Sequence, residues 1–161
     1  MTEKAKPKCI VAVRIRGVVR GSREARDTLA MLHLTRNNYA TILDDRPSFI
    51  GMLREAHNFV TWGEISKETL AMLVAKRARS RGDRKLTEEY LEKAGFKSAE
   101  DLAEAIFDSR IEYRRLRDIV PFFRLHPPSK GFKGSVKKSI AAGGESGYRG
   151  AKIDELVVRM I

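Results

Sequence analysis

Over the first 65 residues the apolar spacing switches repeatedly between a period of two and a period of three to four, and no other feature restricts the fold as much. From Cys9 to Ile15 the residues alternate, with Val11, Val13 and Ile15 to one side and Arg14 and Arg16 to the other, which predicts a half-buried strand. A basic loop bounded by Gly17 and Gly21 follows. Ser22 is then placed to cap a helix carrying Ala25, Leu29 and Leu32 on one face and ending near Leu34. Tyr39 to Leu43 predicts a second strand. Pro47 opens a second helix in its first turn, with Ile50 and Leu53 facing inward, and Phe59 to Glu64 supplies a third strand. The order is β-α-β-α-β, with both helices able to cover the same face of a small sheet.

Beyond residue 65 the charge is segregated. Ser66 caps a helix with Leu70, Leu73 and Val74 that runs into Lys76 to Lys85, where six basic residues accompany one Asp. From Leu86 to Glu112 the sign reverses, eight acidic residues against three basic, over two short helices starting near Thr87 and Ser98. PFFRLHPP, residues 121 to 128, predicts a short strand closed by a Pro-Pro stop. Residues 129 to 150 are rich in glycine, with five basic residues and one Glu, and predict an extended loop that orders against a partner. Ile153, Leu156, Val157 and Met160 return to helical spacing and should dock on the body. The expected division is a body over 1-65, a helical segment over 66-120, and a strand, basic loop and packed helix over 121-161.

With 32 Lys and Arg against 21 Asp and Glu, the formal charge is +11, a field that attracts polyanions. No basic amphipathic helix suggests a membrane surface, so nucleic acid is the expected partner. The single cysteine, Cys9, has neither a disulfide partner nor metal-site spacing, which fits a reducing, cytoplasmic setting. No apolar run approaches a membrane span, and MTEKAKPK lacks the apolar core of a signal peptide.

No stretch from Gly131 to Lys152 has the P-loop order of glycines, lysine and Ser/Thr. His33, His57 and His126 are far apart, without a nearby carboxylate or cysteine at metal spacing, and suit structural or RNA-facing roles. No metal or cofactor is implied, and no self-association is expected. Phe122, Phe123 and Phe132 flank basic residues and could stack on bases, although paired phenylalanines in a strand more often belong to a core. Arginine is the more informative cation, because guanidinium makes two-pronged bonds to phosphate and lies flat on bases. Arg14, Arg16, Arg20 and Arg23 fall on one strand face, the following loop and a helix start, where free amides add positive potential.

Four segments carry a family resemblance: ARDTLAMLHLTRNN, PSFIGMLREAHNFVTWGEIS, FRLHPPSKGFKG and GGESGYRGAKIDELVVRM. In this order they resemble the universal large-subunit ribosomal protein thirty family in its longer archaeal form, similar to the eukaryotic large-subunit protein seven. The resemblance implies an α+β fold with three antiparallel strands and two helices on one face, related to the ferredoxin-like fold. A helical insertion and a basic C-terminal extension would be added to it. It also implies a structural constituent of the large ribosomal subunit, not an enzyme. The expected partners are large-subunit (23S-type) ribosomal RNA, 5S ribosomal RNA and neighbouring ribosomal proteins. Carried over, Arg36 and Asn37 fall in the turn after the first helix, Gly51 and Met52 in the second helix, and Lys130, Phe132 and Lys133 in the basic loop. Arg46, His126, Lys137, Lys138 and Arg149 complete the candidate RNA-binding set. Arg46 departs from the small capping residue usual before Pro47, leaving that helix without its ordinary cap.

Gly51 costs about 1 kcal/mol against Ala inside a helix, and close packing on the sheet beside Ile50 is the expected reason, ahead of close approach by RNA. Two rival functions are a nucleic-acid architectural protein outside the ribosome and a small acyl-phosphate hydrolase. In the latter, residues Gly17 to Ser22 would hold phosphate and Asn37 or Asn38 would orient water.

Overall fold

The computed structural model describes residues 7–161. Residues 1–6, which hold the start of the predicted body and most of the MTEKAKPK stretch, lie outside the described residues. The body follows the expected order: β1 (Cys9–Arg14), α1 (Arg23–Met31), β2 (Tyr39–Asp44), α2 (Pro47–Glu55) and β3 (Val60–Glu64). Ser22 caps α1 by accepting the Ala25 N–H at 3.1 Å, satisfying one of the amides that a helix start leaves free. Arg46 makes no side-chain cap bond at the start of α2, where Pro47 has no amide hydrogen to satisfy.

The helix α3 (Lys67–Arg77) starts at Ser66, whose Oγ accepts the Thr69 N–H. The basic stretch after it contains a hairpin, β4 (Arg79–Ser80) against β5 (Arg84–Lys85), turned through Gly82 and Asp83 in left-handed conformations. Next come α4 (Glu88–Lys93) and α5 (Ala99–Phe107), the latter capped by Ser98. The chain then forms β6 (Phe123–Arg124), β7 (Ser135–Ser139), β8 (Gly144–Tyr148) and α6 (Ile153–Met160). No helix among the described residues is long and apolar enough to cross a membrane.

The sheet corrects two expectations. Among the described residues it has six strands in the order β6-β2-β1-β3-β8-β7, not three antiparallel ones. β1 pairs antiparallel with β2 and β3, as expected, but β8 lies parallel to β3 and to β7. The segment 129 to 150, expected as a loop, therefore supplies two strands. Its glycine-rich sequence hides them because backbone pairing and buried polar contacts hold β8 in place, without the apolar alternation that marks a half-buried strand.

The second correction concerns β1, which is buried along its whole length. Ile10 and Ala12 pack with Leu29, Leu32 and Leu53 under α1 and α2. Cys9, Val11, Val13 and Ile15 pack on the opposite face with Leu70, Leu73 and Val74 of α3, Leu102 and Ile106 of α5, and Ile153, Leu156, Val157 and Met160 of α6. Helices on both faces make a three-layer body, and a central strand in such a body loses its solvent face.

A third expectation fails at Gly51. A Cβ there would meet nothing within 4 Å, so close packing does not require this glycine. The close approach is at Gly63 instead, where a Cβ would lie 2.0 Å from the carbonyl oxygen of Gly150.

Candidate nucleic-acid interface

The register of the sheet gathers several predicted residues at one end. Arg14 at the end of β1 lies opposite Val60 at the start of β3, and Val13 lies opposite Ala40 near the start of β2. Parallel pairing brings the start of β8 to the same end. The loop after β1, the turn before β2 and the chain after β6 meet there, joined by the Asn38 N–H donating to the Arg14 carbonyl at 2.8 Å and the Leu125 N–H to the Asn38 carbonyl at 3.1 Å.

Arg14 turns inward. It is 6% exposed, and its guanidinium donates to the carbonyls of Arg16 and Leu34, both at 3.0 Å. Burial pulls its pKa below the usual arginine value. Its geometry is that of a brace holding the two loops that display Arg16, Arg36 and Asn37. Arg16 lies half-buried over the Phe59 ring, 5.8 Å from its centroid. Arg20, Arg36 and Asn37 are exposed. Arg23 is exposed too, its Nε 3.7 Å from Asp27 one helical turn on, a pairing that water largely screens.

At the same end His126 is exposed, and its Nδ1 lies 2.7 Å from the Pro127 carbonyl. Lys130 is exposed in a left-handed turn with Gly131. Arg159 of α6 fixes that turn by donating to the carbonyls of Ser129 and Gly131. Phe123 is fully buried and stacked on Tyr113, so its ring is not free for a base, while Phe132 packs half-buried against the core. Phe122 stacks on Tyr39 at 4.7 Å. Lys133 pairs with Glu155, while Lys137 and Lys138 are exposed on β7.

Two of the predicted cations are engaged elsewhere. Arg149 is turned into the sheet against Glu145 and donates to Thr61 Oγ1 at 3.2 Å. Arg46 lies beyond the far end of β2, bonded to Asp44 Oδ2 at 2.6 Å and to Glu112. Its guanidinium carbon and that of Arg114 each lie 5.3 Å from the Phe49 ring centroid. Arg114, Arg115 and Arg117 were not among the candidates. Their signal in the sequence is the run YRRLRD, which follows directly on the acidic segment.

Exposed cations gathered at one end of a sheet, beside an inward arginine brace, suit a protein that holds a polyanion, and comparison with known proteins makes it a ribosomal one. Residues 10–60 match the family model described as ribosomal protein L30p/L7e. The chain is 45% identical to the large ribosomal subunit protein uL30 of Thermofilum pendens, over 94% of this chain and 97% of that one. The corresponding Ignicoccus hospitalis protein is 47% identical, covering 96% and 98%, and that of Nanoarchaeum equitans 44%, covering 92% and 96%. The chain belongs to the uL30 family of large ribosomal subunit proteins. It is a structural ribosomal protein, and the hydrolase reading is set aside.

Proposed function

We propose that the protein binds large-subunit, 23S-type ribosomal RNA through the end of the sheet where the β1–α1 loop, the turn before β2 and the Ser129–Lys133 turn converge. Arg16, Arg20, Arg23, Arg36, Asn37, His126 and Lys130 form this surface, and Lys133, Lys137 and Lys138 extend it. Arg14 acts through the loops it braces, and Arg46 and Arg149 chiefly tie the body together. The observation that carries the reading is the convergence of exposed cations and an amide from three separate parts of the chain on a rigid frame. Such a surface recognises backbone shape more than base sequence. 5S ribosomal RNA and neighbouring ribosomal proteins are the further partners that the family resemblance implies.

The test is a titration of in vitro transcribed large-subunit ribosomal RNA at several salt concentrations. Neutralising Z phosphates gives a slope of log affinity against log salt near about −0.9Z for B-form DNA and of similar order for helical RNA. A steep slope is expected, shallower when Lys130, Lys137 and Lys138 are changed to Gln, with thermal stability nearly unchanged. A slope near zero for the unmodified protein would overturn the proposal.

A further inference from the structure

A second basic surface runs along the β2–β6 edge of the sheet, from Arg46 beyond the end of β2 back to Pro121, two residues before β6. Two adjoining open recesses of about 660 and 290 Å³ share His33, Arg114 and Arg115. Arg81 and Arg117 border the larger, Arg46 and Phe49 the smaller. The groove thus draws on the turn after α1, the start of α2, the β4–β5 hairpin and residues 112 to 121.

Its cations are oriented as well as concentrated. Arg114 donates to the Met31 carbonyl at 2.6 Å while its guanidinium lies over Phe49. Arg46 takes the matching place on the same ring, held by Asp44 and Glu112. Arg115 is paired with Glu112 at 2.9 Å, yet its side chain remains 76% exposed. Arg81 lies 3.9 Å from Asp118, a loose contact between two exposed side chains. Five guanidiniums therefore face three carboxylates, Asp44, Glu112 and Asp118, and the surplus is positive. His33 is held in a left-handed turn between them, and burial and the nearby Arg114 charge lower its pKa. That favours a neutral imidazole, which both donates and accepts.

We infer that this groove is a second RNA seat, taking the sugar-phosphate backbone of a segment other than the one held at the loop end of the sheet. The inference rests on the RNA-binding reading above. The occupant follows from the chemistry of the walls. A phosphodiester chain accepts the two-pronged edges of fixed guanidiniums, and ribose hydroxyls suit a neutral imidazole. An acidic protein segment would want an apolar anchor pocket beside the charges, whereas the larger recess is open, has four arginines among its nine bordering residues, and its apolar members Leu116, Ile119 and Pro121 are partly or fully buried in the body. With one RNA seat at the loop end of the sheet and another along its β2–β6 edge, the protein becomes a spacer between two RNA segments.

The experiment compares two variants on in vitro transcribed large-subunit ribosomal RNA. Replacing Arg81, Arg115 and Arg117 with Gln removes exposed charges, so the melting temperature should hold and the salt slope should fall by about 2 to 3 if each contacts one phosphate. Replacing Lys130, Lys137 and Lys138 should lower the slope separately, and the two losses should add. An unchanged slope in the arginine variant, with the lysine variant still responding, overturns the second seat and leaves the first. A flat slope for the unmodified protein overturns both. A photo-crosslinker on Arg117→Cys and one on Lys130→Cys should mark different nucleotides, a readout that does not depend on the triple variant folding. Crosslinks to the same nucleotides, or none from Arg117→Cys, overturn the inference. So does an arginine variant that loses the parent's affinity for polyglutamate while keeping its affinity for RNA.

Discussion

Replacing Glu145 with Ala tests whether the glycine-rich segment belongs to the fold. Glu145 is 4% exposed in β8 and pairs with Arg149, whose side chain is 14% exposed. Its other oxygen accepts the Gly134 N–H at 2.8 Å, so one carboxylate ties β8 to the chain before β7. Removing it leaves a mostly buried guanidinium with, among the described residues, only Thr61 Oγ1 and the residue 145 carbonyl as partners, and strands the Gly134 amide. Breaking one side of a buried pair costs about 3 to 5 kcal/mol, and at about 2 to 4 °C per kcal/mol for a chain of this length the melting temperature should fall by roughly 6 to 20 °C. The double change Glu145→Leu with Arg149→Met removes the stranded charge and should recover part of the loss. Burial pushes the Glu145 pKa up, but the Arg149 and Gly134 hydrogen bonds outweigh it and hold the carboxyl below its ordinary value. Stability from such a group is full above the unfolded pKa, about 4.3, and is lost as pH falls through the folded value. The gap between parent and variant should therefore narrow in acid. Urea or thermal melts at pH 7 and pH 3 measure both effects. A variant within about 0.5 kcal/mol of the parent at pH 7 would show that the segment is a detached loop.

Gly51→Ala should stabilise the free protein by up to about 1 kcal/mol, since the new methyl meets nothing and the helix gains propensity. If RNA affinity falls while the melt improves, nucleic acid accounts for that glycine. Gly63→Ala should cost at least about 3 kcal/mol in a urea melt, because its methyl would collide with the Gly150 backbone, which has no flexible end to yield. Burial first, and Asp44 second, push the Cys9 thiol up to about 12. Alkylation at pH 8 should therefore be undetectable by mass spectrometry in the native protein and complete in urea.

How much of the molecule was legible depended on what holds each part. Ser22, Ser66 and Ser98 announce their helices because a cap is a local bond between near neighbours. Ile153, Leu156, Val157 and Met160 announced their buried face because helical period alone defines it. β8 was invisible: Glu145, Ser146 and Gly147 carry no apolar alternation, and the Thr61 and Arg149 contacts that hold the strand lie far off in sequence. The same holds for the candidate site. Arg20, Arg36 and Lys130 are where composition and resemblance suggested, on the surface. Whether an arginine such as Arg14 faces solvent or the Leu34 carbonyl depends on how the chain after α1 folds back over β1, twenty positions on, which local spacing does not report.

The parallel pairing of β3 with β8 also sets the order in which the chain can fold. Thr61 and Gly147, hydrogen-bonded across it, are 86 positions apart. Strands β1 to β3 are close enough in sequence to meet early, since loop closure grows costlier with length, though only by about 0.6 kcal/mol per doubling. Synthesis proceeds from the N-terminus, so for most of that time β3 presents an open backbone edge, a template for pairing with another nascent chain. The stretch that closes this edge also leads into α6, which completes the apolar layer behind β1. Completion of the body therefore falls late in synthesis, and truncation before residue 144 should leave a strand edge prone to aggregation.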